Sequence, residues 1–181
     1  MNMFGYPIFF RWETEIHEKL DRVVIGIDPP FYPKDVCGIV VAGVGQVTGL
    51  GYVLADLSGC YENPAIWAQH ICQAVIEYDA DLVAVAGEEQ SEMTASVLAR
   101  SGVACRVRHY HFAGGRKTRF EPLADAYARQ RIIHAAPHVS LMSELTTLED
   151  TTARADRANA LLAAMHELLM RRPAAYYRGV H

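Results

Sequence analysis

Residues 23–30 read Val-Val-Ile-Gly-Ile-Asp-Pro-Pro, and this stretch constrains the fold more than any other. Four of its first five residues are β-branched and none is polar, the pattern of a strand covered on both faces. Asp28 ends the run, and Pro29 and Pro30 cannot extend a sheet ladder. Such a strand belongs at the centre of an α/β sheet. Its terminal carboxylate emerges at the edge where these sheets hold their ligands. An Asp in this place can also do no more than cap loop N–H groups, so its neighbours must decide.

The chain downstream supplies a sheet for that strand. Residues 37–43 read as a second strand, 45–49 as a turn and 50–55 as a third strand. Both connections are short, so the three form an antiparallel meander. Asp56 then emerges on the same edge as Asp28, two strands and roughly 10 Å away. Asn63 and Pro64 open a helix in which Ile66, Trp67, His70, Ile71, Ala74, Val75 and Tyr78 recur at helical spacing. His70 on that face is expected to pack in the core. Residues 81–86 form a fourth, buried strand parallel to its partner, since a helical crossover precedes it. A helix over 88–100 and a fifth strand over 103–109 follow.

Gly114 and Gly115 then hinge a basic loop, Arg-Lys-Thr-Arg, and a further helix opens at Glu121-Pro122. Residues 132–134 suit a short strand, 141–148 fit neither period, and 156–169 make an amphipathic helix. Residues 1–21 read as a lead-in with a short helix over 12–20, and 173–181 as a tail, which leaves one domain over 22–172. The order β-β-β-α-β-α-β, then helices, is that of an α/β, ribonuclease H-like mixed sheet: a three-stranded meander, then parallel strands, with helices flanking.

Composition excludes several classes. Hydrophobic residues make up 51% and charged residues 21% of the chain, and no apolar run reaches the ~18 residues of a membrane span. The start of the chain has neither the basic region nor the cleavage site of a signal peptide, so a cytoplasmic location is expected. The four cysteines contain no C-x-x-C pair, which argues against zinc and for buried free thiols. A net charge of −4 means that nucleic acid would be met through a local basic patch, or through cations between acids and phosphate.

The acids are placed for the second route. Strands one and four are parallel neighbours, so acids at their C-terminal ends lie ~5 Å apart. Gly87-Glu88-Glu89 follows strand four, and Asp156 opens the last helix. Three carboxylates converging on one edge repel unless cations hold them, as in a two-metal phosphodiester-cleaving site with Mg²⁺ or Mn²⁺.

Seven segments in order carry a resemblance: residues 23–30, 38–43, 51–59, 64–68, 78–84, 116–122 and 155–161. Together they make the chain similar to the C-terminal nuclease domain of the large terminase subunit of tailed bacteriophages. The resemblance implies a metal-dependent endonuclease that cuts concatemeric viral DNA in the host cytoplasm. It also implies double-stranded DNA, a terminase ATPase domain, the small terminase subunit and the portal as partners. Asp28 matches the metal aspartate of the first strand and Asp156 the aspartate of the last helix. The family's strand-four acid falls on Ala86, so Glu88, two residues on and on the same face, is the candidate third ligand. Asn159 stands where an aspartate is common, and it and Asp56 are candidates to support the ligands.

Arg116, Lys117 and Arg119 match a hinged arm that touches DNA phosphates, although an ordinary solvated hairpin is also open. Nothing in the chain resembles a Walker A loop, so it is expected to be an excised domain or a stand-alone product. Two other readings stand beside the nuclease. Ala86 and Asn159 suit a catalytically degenerate DNA-binding or assembly module, and the same fold serves Holliday-junction-resolvase-like nucleases.

Overall fold

The β-branched run forms the C-terminal part of a longer strand, which begins at Leu20. The computed structural model describes residues 2–32, 35–87 and 91–171. Here β1 (Asn2–Met3) and β2 (Tyr6–Pro7) form a small hairpin. The meander is β3 (Leu20–Asp28), β4 (Val36–Gly45) and β5 (Gly51–Asp56), with β6 (Gly59–Cys60) paired to the start of β4. Three helix–strand units follow: α1 (Pro64–Glu77) and β7 (Leu82–Ala86), α2 (Ser91–Arg100) and β8 (Arg106–Tyr110), α3 (Arg116–Ala128) and β9 (Ile132–His134). Helices α4 (Val139–Thr146) and α5 (Asp156–Met165) come last, and a π-helical turn, His166–Met170, continues α5.

The main sheet runs β8-β7-β3-β4-β5-β9, antiparallel within the meander and parallel at β3–β7, β7–β8 and β5–β9. This is the mixed, helix-flanked sheet that the element order implied.

Alternation along the central strands divides the core into two layers. Val24, Val40, Ala42 and Ala84 face α3, α4 and α5, whereas Ile25, Ile27, Ile39, Val41, Val83 and Val85 face α1 and Leu98 of α2. Helix α1 starts where Asn63 accepts hydrogen bonds from the N–H groups of Ala65 and Ile66, at 3.0 and 3.3 Å. It buries Trp67, Ala68, Ile71, Ala74 and Val75. His70 falls on the flank of that stripe and is exposed, its ring 5.0 Å from that of Tyr61. It is not the core histidine expected. Among the cysteines only Cys37 is buried, and Cys60 is exposed.

The start of the chain also differs from expectation. Residues 12–20 are not helical: Trp12 bridges to His134, whose N–H donates to the Arg11 carbonyl and whose carbonyl accepts from the Glu13 N–H, both at 2.8 Å. Strand β9 is an edge, and its backbone groups need partners more than this poorly patterned segment needs to coil. Met3 and Ile8 are buried in the same layer as α5, so the lead-in packs as part of the domain.

The basic stretch is likewise not a loop. Helix α3 begins at Arg116, after Gly114 at φ 88° and Gly115 in an extended conformation, and Pro122 lies inside it. Phe120, Leu123, Ala124 and Tyr127 are all fully buried, at spacings of three, four and seven residues from Phe120. Extending the helix back through Pro122 buries Phe120, which offsets the hydrogen bond that Pro122 cannot make. Residues 141–148, ambiguous in pattern, fall mostly in α4, which buries Leu141 and Leu145.

Candidate active site

Asp28 closes β3 between two neighbours. The parallel register that pairs Ile27 with Val85 brings Ala86, the end of β7, alongside it. On the other side Asp28 pairs with Gly38 of β4. A Cβ at Gly38 would collide with the backbone carbonyl oxygen of Asp156, and one at Gly26 with that of Ala160. Helix α5 therefore lies directly on the backbones of β3 and β4, a closeness only glycine permits. It sets Asp156 in its first turn and Asn159 one turn further on, both near the end of β3.

Asn159 Nδ2 donates to Asp28 Oδ2 at 2.8 Å. Burial pushes the Asp28 carboxyl up to about 7. The Asn159 hydrogen bond and the Arg119 charge pull it down, while the Asp156 and Glu144 charges push it further up. The neighbouring Cys37 thiol is also raised, by burial and then by Asp28 and Asp156.

Asp156 is held from the solvent side. Arg154 Nε donates to Asp156 Oδ2 at 2.7 Å, and Arg154 Nη1 donates to Asp35 Oδ1 at 3.3 Å. The start of α5 has no cap of its own, because its N-cap residue is Ala155. Glu144 of α4 supplies one: its Oε2 accepts from the N–H groups of Arg157 and Ala158 at 2.8 and 3.2 Å. Glu144 Oε1 also takes the Arg157 guanidinium at 2.8 Å. Arg157 Nε lies 3.3 Å from Asp56 Oδ2, and Asp56 accepts from the Ser58 N–H at 3.1 Å. Asp56 thus reaches the site through Arg157.

The basic residues divide. Arg116 donates to the carbonyls of Asp150 and Ala153 at 2.7 and 3.1 Å, so it pins the segment leading into α5 and is not the free arm expected. Lys117 is exposed. Arg119 is half-buried, its charge draws the Asp28 pKa down, and its Nε is buried without a hydrogen-bond partner.

Glu88 lies outside the described residues. Among the described residues no three His, Cys, Asp or Glu side chains converge as a metal cage. Asp28 and Asp156 are hard oxygen donors, and that donor set fits one side of a Mg²⁺ or Mn²⁺ site. Glu144, Arg154 and Asp35 were not singled out from the sequence. Only Glu144 left a signal: Ala155 cannot cap a helix, so a partner had to come from elsewhere.

No curated protein sequence matches the chain. Its fold is similar to the P22 large terminase nuclease domain, with a TM-score of 0.65 and 14% identity, covering 92% of this chain and 93% of that one. It is also similar to the human cytomegalovirus terminase nuclease domain, Mn soaked, with a TM-score of 0.62 and 13% identity, covering 87% and 89%. The HK97 bacteriophage large terminase gives a TM-score of 0.64 and 13% identity over 84% of this chain, which spans 40% of that longer one. Identities this low establish likeness of fold alone. The family model of the terminase RNaseH-like domain matches residues 25–168, from β3 into the π-helical turn, and the chain belongs to that family.

Proposed function

We propose that this domain is the nuclease of a viral DNA-packaging terminase, a metal-dependent endonuclease that hydrolyses phosphodiester bonds of double-stranded DNA. The observation that carries the reading is the meeting of Asp28 and α5 over Gly38, with the Asp28 carboxyl pushed up to about 7 beside Asp156. Asp28 and Asp156 would hold Mg²⁺ or Mn²⁺, and Glu88 would complete the set. Bound there, divalent ions would lower the pKa of the attacking water and stabilise the leaving 3′ oxygen.

The chain's own residues prepare the ground. Asn159 fixes the Asp28 carboxylate through Oδ2. Glu144 fixes the first turn of α5, and with it the backbone of Asp156. Arg154 neutralises Asp156 in the metal-free protein and must give up part of that contact when a cation competes. Partners would be those of a large terminase: double-stranded DNA, an ATPase motor domain, the small subunit and the portal, in the host cytoplasm. No helix among the described residues is long and apolar enough to cross a membrane.

One observation favours a second reading, a degenerate DNA-binding or assembly module. Ala86 stands beside Asp28, and an amide occupies Asp28 Oδ2. A plasmid assay separates the two. Supercoiled plasmid should be cut in Mn²⁺, more slowly in Mg²⁺ because that ion tolerates imperfect geometry poorly, and not at all in EDTA. Glu88→Gln should lose cutting while Glu89→Gln keeps it. Intact plasmid under every condition, with DNA still bound, would put the degenerate module ahead.

Lys117 is exposed in the first turn of α3 and open to DNA backbone contact. Lys117→Ala should weaken duplex binding uniformly across sequences and flatten the log–log salt slope by about 1. A fluorescence-anisotropy titration between low and moderate salt reads this, and an unchanged slope would make Lys117 ordinary solvated surface.

A further inference from the structure

We infer that Arg119 grips the scissile phosphodiester of bound DNA, donating to its non-bridging oxygens beside Asp28 in ground and transition states. The inference rests on the nuclease reading above and assigns a reaction role within it.

The other described arginines around the site are committed. Arg154 bonds Asp156 and Asp35, Arg157 bonds Glu144 and pairs with Asp56, and Arg116 holds the carbonyls of Asp150 and Ala153. The Nε groups of Arg119 and Arg157 are both buried without a hydrogen-bond partner. Arg157 Nε nonetheless lies 3.3 Å from Asp56, and its Nη1 bonds Glu144. No carboxylate among the described residues holds the Arg119 side chain, which follows Arg116 by one turn of α3 and whose charge acts on Asp28. A buried donor without a partner is destabilising, and a bound group that supplies an acceptor removes that cost. The side chain is not there by looseness of its element. Phe120, next along, is fully buried, and α3 packs against both the sheet layer and α5.

The ligand's chemistry follows from the donor. A guanidinium presents a planar fork that matches two oxygens of one phosphate and cannot lose its charge at working pH. A DNA strand that brings a phosphodiester to cations on Asp28 and Asp156 brings the non-bridging oxygens to the same corner. When water adds to phosphorus, charge grows on those oxygens, and a fixed cation already in place stabilises the transition state more than the ground state. Lys117, exposed on the same helical turn, supplies backbone attraction without this dependence on chemistry.

The test compares wild type, Arg119→Ala, Arg119→Lys and Lys117→Ala. In Mn²⁺ at saturating DNA, Arg119→Ala should slow cutting about a hundredfold, as loss of one transition-state donor does. Duplex affinity in Ca²⁺ should change less than threefold, and Arg119→Lys should recover part of the rate. Lys117→Ala should instead weaken duplex affinity in Ca²⁺ and flatten its salt dependence. Inorganic phosphate titrated with Ca²⁺ present, followed by ³¹P NMR, should bind Arg119→Ala about tenfold more weakly than wild type. The melting temperature of Arg119→Ala should hold or rise, since an unsatisfied buried group is removed.

Wild-type cutting by Arg119→Ala would overturn the inference and leave the nuclease reading standing. So would a lower melting temperature that Arg119→Lys does not restore, which would make the residue structural. If wild type cuts nothing, the nuclease reading fails and the phosphate titration decides: equal affinity for Arg119→Ala overturns the inference, and a tenfold loss keeps Arg119 as a phosphate ligand.

Discussion

Asp28→Asn should abolish DNA cleavage and, in the metal-free protein at pH 8, raise the melting temperature. Loss of cutting follows from the place of Asp28 as the one described carboxylate that both ends the central strand and meets α5. The stability gain follows from linkage. Burial holds the Asp28 carboxyl at about 7, against 3.8 for the free side chain. Below pH 3.8 the group is protonated in both folded and unfolded chains and its contribution is at its most favourable. As pH rises to about 7 the unfolded chain gives up the proton while the folded one keeps it, and stability falls on the order of 4 kcal/mol across that window.

Asparagine has no such loss, and its side-chain oxygen can still accept from Asn159. The difference between variant and wild type should therefore be near zero at pH 4 and grow to roughly 8–16 °C at pH 8. His134, which burial and then the His138 charge push down to about 3, makes the whole domain weaker in acid. That contribution is common to both proteins and cancels in the difference. Thermal melts in EDTA from pH 4 to 8 measure the effect, and Mn²⁺ added at pH 8 should raise the wild type alone. A variant less stable than wild type at pH 8, or one that still cuts, would remove Asp28 from the centre of the site.

Much of this architecture was legible before any coordinates because its signals are local. The β-branched run of β3, the turn after β4 and the Asn63-Pro64 start of α1 each depend on a few adjacent residues. The same locality explains why Asp28 and Asp156 could be singled out: one ends a buried strand and the other opens an apolar-striped helix. What escaped depends on distant partners. Arg116 reads as a free cation until the chain brings it to carbonyls 34 and 37 residues away. Glu144 lies in a segment without clear period, and its function, capping α5, exists only once α4 and α5 meet. Residues 11–13 carry no strand pattern, because their pairing to β9 answers a need of that edge and not a preference of their own. Glu88, whose candidacy came from alternation along strand four and from the family match, falls outside the described residues.

Gly26→Ala and Gly38→Ala should each destabilise the domain by ~2–4 kcal/mol, a large share of the stability of an ordinary domain. An added methyl on β3 or β4 meets a backbone carbonyl of α5, from Ala160 or Asp156, and no rotamer change can clear backbone. Either the helix lifts or the sheet bends, and both open the layer that holds Leu161, Ala164 and Met165. Gly59→Ala is the control, since a Cβ there comes no nearer than 3.7 Å to the Tyr61 ring. It should change stability by less than ~1 kcal/mol.

The two damaging variants should differ in function. Gly38 lies under Asp156 itself, so its methyl displaces the first turn of α5 relative to Asp28. Gly26 lies under Ala160, one turn further along, and leaves the Asp156 end nearer its place. Urea denaturation in EDTA ranks the stabilities, and Mn²⁺ titration of the folded proteins ranks the sites. For equal losses of stability, Gly38→Ala should lose more Mn²⁺ affinity than Gly26→Ala. If both alanines fold within ~0.5 kcal/mol of wild type, α5 does not rest on these backbones, and the route by which Asp156 comes to Asp28 is wrong.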